Sequence, residues 1–339
     1  MPLTSIETIA KAVEPSVANT RLTAIPLLVN LFARGSMRTK YDTSINWNVD
    51  MGGAVAAIEP VTANGAVTAI DDVFAASLRI GRHRVKHQFN ISRIEIEEAA
   101  TLAVEELADL FESHVKRGVT RILRTINQLL YTGTGVAGSA EITGLASVRD
   151  NSLSYSGLSP VTYPSWQAIR NTNASARALT SNLLLDFQQQ VQELESSYDM
   201  IVCAPGMGTA YTKLFITAGG GFGLTPDEEV NGLTRVELGM GGRYYQGVPI
   251  IEDPMCSAGT LYFLNSQDLN LYSFALQRSA ASGDMANTAI INPASTYGIN
   301  VHIAELPSNN SAVRSFELYA LPQFRVFNRK SVASLDNLT

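Results

Sequence analysis

Gly133-Thr-Gly-Val-Ala-Gly138 fits the dinucleotide-binding pattern letter for letter. That motif works when a strand delivers its glycines to a helix N-terminus, where free N–H groups hold a pyrophosphate. Here the glycines follow the end of a helical stretch and precede more loop, so the pattern reads as a helix C-cap and a connector. Gly219, Gly220, Gly221 and Gly223 lack the following Lys-Ser/Thr of a phosphate-binding loop. Four histidines are present, His83, His87, His114 and His302. His83 and His87 share a face of a strand, but with no third ligand near they read as surface residues rather than metal ligands. Neither His-Glu-x-x-His nor Gly-x-Ser-x-Gly occurs. The acid pairs Glu97/Glu98 and Asp71/Asp72 could do acid–base work, yet on a helix face or a hairpin edge the solvated or salt-bridged reading is commoner. Cys203 and Cys256 have neither metal spacing nor a disulfide-rich context and read as reduced structural thiols. These residues imply no enzyme, no cofactor and no metal.

The charge cluster that stands out is Arg79, Arg82, Arg84 and Lys86. Clustered arginines contact phosphates, but the aromatic interleaving that would stack bases is missing. A protein surface bearing acids is therefore the preferred partner. These cations lie on the return limb of a strand-rich stretch with apolar pieces at 45–49, 54–58, 66–70 and 74–89, and Asn64-Gly65 gives the tight turn. Isolated hairpins are marginal in water, so this one should lie across something else.

A long helix, 92–131, comes next. Ser92-Arg93-Ile94-Glu95 makes a capping box. Seven acids (Glu95, Glu97, Glu98, Glu105, Glu106, Asp109, Glu112) fill its first half, and Lys116, Arg117, Arg121 and Arg124 its second. That polarity complements the helix dipole. Gly118 is the internal weak point, a candidate bend, and Gly133 ends the helix. At ~1.5 Å per residue it spans roughly 60 Å. Further on, 180–195 has the apolar spacing of a second helix, 200–204 reads as a buried strand, and 206–216 as a short helix. Strands occupy 244–251, 261–264, 269–274, 298–304 and 315–328, with a Pro-Ser-Asn-Asn turn between the last two. Near the start, 4–13 can form a capped helix and 22–32 is apolar, but 1–45 looks like an arm with little core of its own.

The 339 residues allow two domains or one elongated one. Charged residues are 17% of the chain, below the usual quarter, as expected when much of the surface faces other protein. The net charge of −6 argues against avid nucleic-acid binding. The first residues, with Glu7 early, lack the basic-then-apolar pattern of a signal peptide, so none is expected, and the most apolar run, 25–33, is too short to span a bilayer.

The order of these elements, taken with Gly247-Val-Pro-Ile-Ile-Glu-Asp-Pro-Met-Cys-Ser-Ala-Gly-Thr-Leu-Tyr-Phe-Leu-Asn265 and Tyr198-Asp-Met-Ile-Val-Cys-Ala-Pro205, resembles tailed-bacteriophage major capsid proteins of the Hong Kong 97 (HK-97-like) fold. The resemblance covers nearly the whole chain. Each motif is loose and their order is specific. It implies an α+β capsid fold with an N-terminal arm (1–45), an extended β-hairpin loop (46–91), a peripheral domain with the spine helix (92–159), an axial domain (160–297) and returning peripheral strands (298–339). It implies hexamers and pentamers of this chain in an icosahedral shell around double-stranded DNA, held without sequence specificity, and no membrane. The protein would be made in the host bacterial cytoplasm and reside in the virion. Portal, scaffolding and decoration proteins are candidate partners. Met1 begins almost at the arm, so a scaffolding segment is expected to be separate or cleaved. Arg79, Arg82, Arg84 and Lys86 become expected intersubunit contacts. An encapsulin-type nanocompartment shell is the nearest alternative, and a nucleotide-dependent enzyme around Gly133 a remote one.

Overall fold

A computed structural model describes residues 25–51, 73–80, 84–92, 94, 97, 104–135, 142–217, 243–275, 288–291, 296–306 and 313–339. The expected helix at 4–13, the Asn64-Gly65 turn, Arg82, His83, the 219–223 glycines and the 307–310 turn lie outside them.

Helix α1 (Pro26–Ala33) opens with a proline where no N–H is needed. Its Leu27, Leu28, Val29 and Leu31 are fully buried. A helix that is apolar all round belongs in an interior, so the expected arm is part of the core from Ile25 onward. Strand β1 (Met37–Lys40) then pairs in parallel with β10 (Leu269–Phe274), which also pairs with β14 (Pro322–Val326).

Strands β2 (Ser44–Asp50) and β3 (Val73–Arg79) are the hairpin limbs, paired from Ser44↔Arg79 to Asp50↔Val73. Ile45, Trp47, Val49, Ala76 and Leu78 face inward and the alternate residues face out. The expected single strand 74–89 is in fact two. The hairpin ladder closes where Ile80 N–H donates to Thr43 O, and β4 (Val85–Ser92) starts afresh in another sheet. There it pairs with β13 (Val313–Ala320) in the order β11 (Thr288–Ile291), β12 (Val301–Leu306), β13, β4.

Long helix α2 (Val104–Thr132) packs on β4 and β13. Ser92 ends β4, and Ile94 and Glu97 are already helical; Glu95 lies outside the described residues. Gly118 sits mid-helix, but its role is close approach rather than bending. A Cβ there would fall on Leu318 Cδ1 and 2.9 Å from His87 Cδ2. Phe89, Phe111 and Phe316 stack where helix meets sheet, at centroid distances of 5.1 to 5.9 Å.

After the short helix α3 (Leu145–Arg149) comes a six-stranded sheet in the order β5 (Arg170–Asn171), β15 (Val332–Leu335), β9 (Leu261–Leu264), β6 (Met200–Cys203), β8 (Val248–Glu252), β7 (Tyr244–Tyr245). Met200 and Val202 face the core that holds α1 and α2. Ile201 and Cys203 face a second core with α4 (Ser181–Glu193) and Met207 and Tyr211 of α5 (Pro205–Thr217). Period-two alternation thus buries both faces. The last strand corrects the expectation that all of 298–339 returns to the long sheet. Val332–Leu335 is inserted between β5 and β9, where its four residues are buried on both sides.

Candidate intersubunit surface and its buried supports

The change of sheet after Ile80 divides the expected basic strand. Arg79 is exposed at the end of β3, while Arg84 and Lys86 belong to β4. In the β4–β13 register, Gln88 faces Glu317 and Lys86 faces Tyr319. Glu317 is only 3% exposed. It accepts from Gln88 Nε2 at 2.7 Å and is paired with Arg84 at 2.9 Å and Lys86 at 3.9 Å. The Arg84 guanidinium also lies 4.0 Å above the Tyr319 ring. A carboxylate in that position must be paired. These two cations therefore meet an acid of their own chain, and Arg79 is the expected contact residue whose side chain is exposed outside this knot.

Between β4 and α2 lies an open cleft of about 390 Å³, lined by Lys86, His87, Arg121, Ile122, Arg124 and Thr125. His87 is held below the ordinary histidine pKa by burial first, then by the positive charges of Arg121 and His114. His302, on β12, is fully buried, stacks 5.0 Å from Tyr319, and is lowered mainly by desolvation.

Buried ionic knots tie distant segments together. Asp253, fully buried, accepts from Leu27 N at 3.3 Å, Asn127 Nδ2 at 2.9 Å and Tyr131 Oη at 2.8 Å on one oxygen, and from Met255 N at 2.8 Å on the other. Asn127 in turn accepts from Leu28 N at 3.1 Å. One carboxylate and one amide thus satisfy the opening N–H groups of α1, which lack intrahelical partners. Burial and the neighbouring Asp253 raise the Tyr131 pKa well above that of a free phenol. Asp336 receives Arg149 and, at 2.6 Å, Arg170. Arg329, also fully buried, donates to the carbonyls of Val148, Asp150 and Leu153 around the end of α3. Desolvation lowers its pKa to about 10. Arg34 after α1 reaches Asp199 at 2.6 Å. Sequence reasoning singled out none of these as sites. The available signal was an acid or arginine in an otherwise apolar stretch, as at Glu252-Asp253 or Arg329.

The described part of the glycine pattern, 133–135, shows no cradle. Gly133 follows the last helical residue, donates to Leu129 O and accepts from Gly144 N at 3.0 Å. A Cβ on Gly133 would fall on the Ile142 carbonyl, so the 142–144 backbone fills the space beside it. Among the described residues no His, Cys, Asp and Glu cluster could hold a metal. Cys203 and Cys256 are free and buried; burial pushes the Cys203 thiol up to about 12 and raises Cys256 as well. No helix among the described residues is long and apolar enough to cross a membrane.

No family model and no curated protein matches the sequence. Solved structures match its fold. A chain of the cyanophage A-1(L) capsid asymmetric unit aligns over 95% of this chain and 94% of its own, with TM-score 0.77 and 22% identity. The chain has the HK-97-like shell fold. Weaker likenesses are the capsid of a native GTA particle (TM-score 0.54, 13% identity, 91% and 90% covered) and the holo-SrpI encapsulin complex from Synechococcus elongatus PCC 7942 (TM-score 0.52, 11% identity, 91% and 87% covered). In this chain the shell fold is braced from within by side chains. Leu27 to Asp253, Asn127 to Asp253, Arg149 to Asp336 and Arg84 to Glu317 each join segments more than a hundred residues apart in sequence.

Proposed function

We propose that this chain is a major capsid protein that assembles through hexamers and pentamers into an icosahedral shell enclosing phage double-stranded DNA. The observation that carries the reading is the likeness to the cyanophage capsid chain along 95% of the sequence. The hairpin agrees with it. The outward face of β2 and β3 carries Asn46, Asn48, Val73 and Arg79, and a two-stranded ribbon gains from a neighbouring surface. In this reading the residues before Ile25 open as an arm, the β2–β3 hairpin is the extended loop, β4 with 92–159, β12 and β13 forms the peripheral domain, and the six-stranded sheet, with β15 inserted in it, the axial one. Moderate interfaces, closed by symmetry, would hold the shell. Arg79, Arg82, Arg84 and Lys86 would sit near contacts between subunits, with Arg79 the residue to vary, because reversing Arg84 would place a second carboxylate on Glu317. Portal, scaffolding and decoration proteins would complete the particle.

The likeness to an encapsulin keeps a nanocompartment shell as a second reading, and it is the weaker likeness of the two. Electron microscopy of the purified protein, expressed with and without neighbouring phage genes, is the test. Closed shells that fill with DNA when the packaging genes are present are expected. Shells filled with a cargo enzyme would replace the phage reading by the compartment, and a monomer that binds a dinucleotide would overturn both. Arg79→Glu should leave the subunit folded and impair assembly; normal shells would remove Arg79 from the contact.

A further inference from the structure

Arg117, Arg121 and Arg124 share one exposed stripe of α2, at i, i+4 and i+7. Arg121 and Arg124 enter the cleft beside β4, where Lys86 and His87 complete a lining that contains no acid. Along the helix the stripe continues with Thr125, Gln128 and Thr132, all neutral and exposed. The Thr125 and Thr132 hydroxyls are turned back onto the carbonyls of Arg121 and Gln128. Lys86 shares Glu317 at 3.9 Å, whereas Arg121 and Arg124 have no carboxylate partner among the described residues. Elsewhere on the helix the neighbouring cation is neutralised: Lys116 is paired with Glu112 at 2.6 Å.

Two kinds of polyanionic surface could fill such a cleft, an acidic face of protein or a phosphodiester backbone. Protein interfaces are anchored by buried aromatic or aliphatic side chains, with charges at the rim. The exposed large apolar residues among the described ones are Tyr41, Val73, Ile94, Leu153, Val161, Leu185, Leu194, Ile290 and Phe327, and none lines the cleft. A cleft of one sign, without apolar anchors and without an aromatic on which a base could stack, fits a repeating phosphate better than a protein face. The three arginines span about 10 Å of helix, at ~1.5 Å per residue. Phosphates on one strand of a duplex recur every ~3.4 Å along its axis, so the stripe can meet two or three of them.

We propose that the cleft between β4 and α2, with Arg121 and Arg124 at its centre, is a sequence-independent site for the phosphate backbone of double-stranded DNA. This rests on the capsid reading for its biological setting, but the binding itself can be measured separately. The experiment compares full-length wild type, R121Q/R124Q and the control R38Q, an exposed arginine on β1. Each is titrated against two unrelated 20-base-pair duplexes by fluorescence anisotropy between 50 and 200 mM salt, and each is imaged for shells. The double variant is expected to bind at least tenfold more weakly at the lowest salt, equally for both duplexes. The slope of log affinity against log salt should fall by about 2, roughly 0.9 for each phosphate no longer neutralised. R38Q should match wild type, and shells of the double variant should be normal. Unchanged affinity and slope in R121Q/R124Q would overturn the proposal. So would loss of shells with DNA binding intact, which would assign the cleft to a second copy of the chain. Failure of the wild type to form shells, with the duplex data as expected, would count against the capsid reading and leave the phosphate site standing.

Discussion

Asp253 offers the sharpest test of how this chain is held together. Its two oxygens accept four hydrogen bonds from three places in the chain: the start of α1, the end of α2, and the turn after β8. In Asp253→Asn the amide nitrogen must replace one oxygen. Facing Leu27, Asn127 and Tyr131 it would meet three donors, so it takes the place beside Met255 N–H and collides with one. A buried donor left unpaired costs about 1–3 kcal/mol. The three surviving bonds weaken by about 1 kcal/mol each when their acceptor is no longer charged, but the cost of burying a full charge, several kcal/mol, is relieved at the same time. These last two effects largely cancel, and the net loss is about 2 kcal/mol. Tyr131→Phe removes one donor and leaves the carboxylate three, for about 1 kcal/mol. Asp253→Ala orphans four donors and opens a cavity, for more than about 5 kcal/mol, a large part of the stability of an ordinary domain.

With ~2.1 cal/mol/K of unfolding entropy per residue, a chain of 339 residues loses about 3 °C of melting temperature for 2 kcal/mol. Differential scanning calorimetry and urea unfolding of the full-length protein should therefore rank wild type above Tyr131→Phe, then Asp253→Asn, then Asp253→Ala. An Asp253→Asn variant that melts at or above the wild-type temperature would refute this ranking. That result would mean that burying the charge costs more than its four donors return.

Three further outcomes rest on the same geometry. Gly133→Ala would drive a methyl into the Ile142 carbonyl and to 2.7 Å from Leu129 O, both rigid backbone, and should cost about 3 kcal/mol in urea unfolding despite the better helix former. His302 has a folded pKa below its unfolded value of ~6.5, so the unfolded chain takes the proton first. Stability is then full above pH 6.5 and falls as pH drops toward the folded value, by at most about 1.4 kcal/mol per pH unit; unfolding at pH 7.5, 6.5 and 5.5 should show it, and His302→Gln should flatten that part of the slope. With Cys203 pushed up to about 12 and both thiols buried, iodoacetamide at pH 8 should modify neither in the native protein and both in urea, as read by mass spectrometry.

The elements themselves were legible where local pattern decides them. Thr180 caps α4 by accepting from Leu183 N at 3.2 Å, and its Leu184, Phe187 and Val191 are buried at helical spacing. The apolar runs of β6 and β9 read as central strands because both of their faces are covered. Partner choice was not legible. Across Ile80-Gly81 the inward parity of 74–89 shifts by one, from Ala76, Leu78 and Ile80 to Val85 and Phe89, which marks a break without saying which sheet the second piece joins. Val332-Ala-Ser-Leu335 carries no mark that it closes a sheet begun more than a hundred residues earlier. Glu317, between Phe316 and Leu318, occupies the position of an outward-facing strand residue. Its burial comes from Arg84, Lys86 and Gln88 lying over it, and those residues are more than two hundred positions away. The basic cluster was therefore visible as charge, while its division into two exposed cations paired with the buried Glu317 and an Arg79 outside that pairing depended on the partner strand, which local pattern does not reveal.

Buried ionic groups are poor sources of net stability, because desolvation cancels most of what pairing gains. Their presence at Asp253, Asp336, Glu317 and Arg329 calls for another explanation, and the pattern of their partners supplies one. Each joins elements that apolar packing alone would allow to slide: α1 against α2, α3 against the end of the chain, β4 against β13. A slipped register would bury a carboxylate or guanidinium without its partner, a loss of about 3–5 kcal/mol. On the proposed capsid reading the chain is a tile that must meet several copies of itself at once, and such a tile tolerates little variation in shape, since an error at one contact recurs at every symmetric one. In such a subunit, charges that make misaligned states costly matter more than charges that make the aligned state stable.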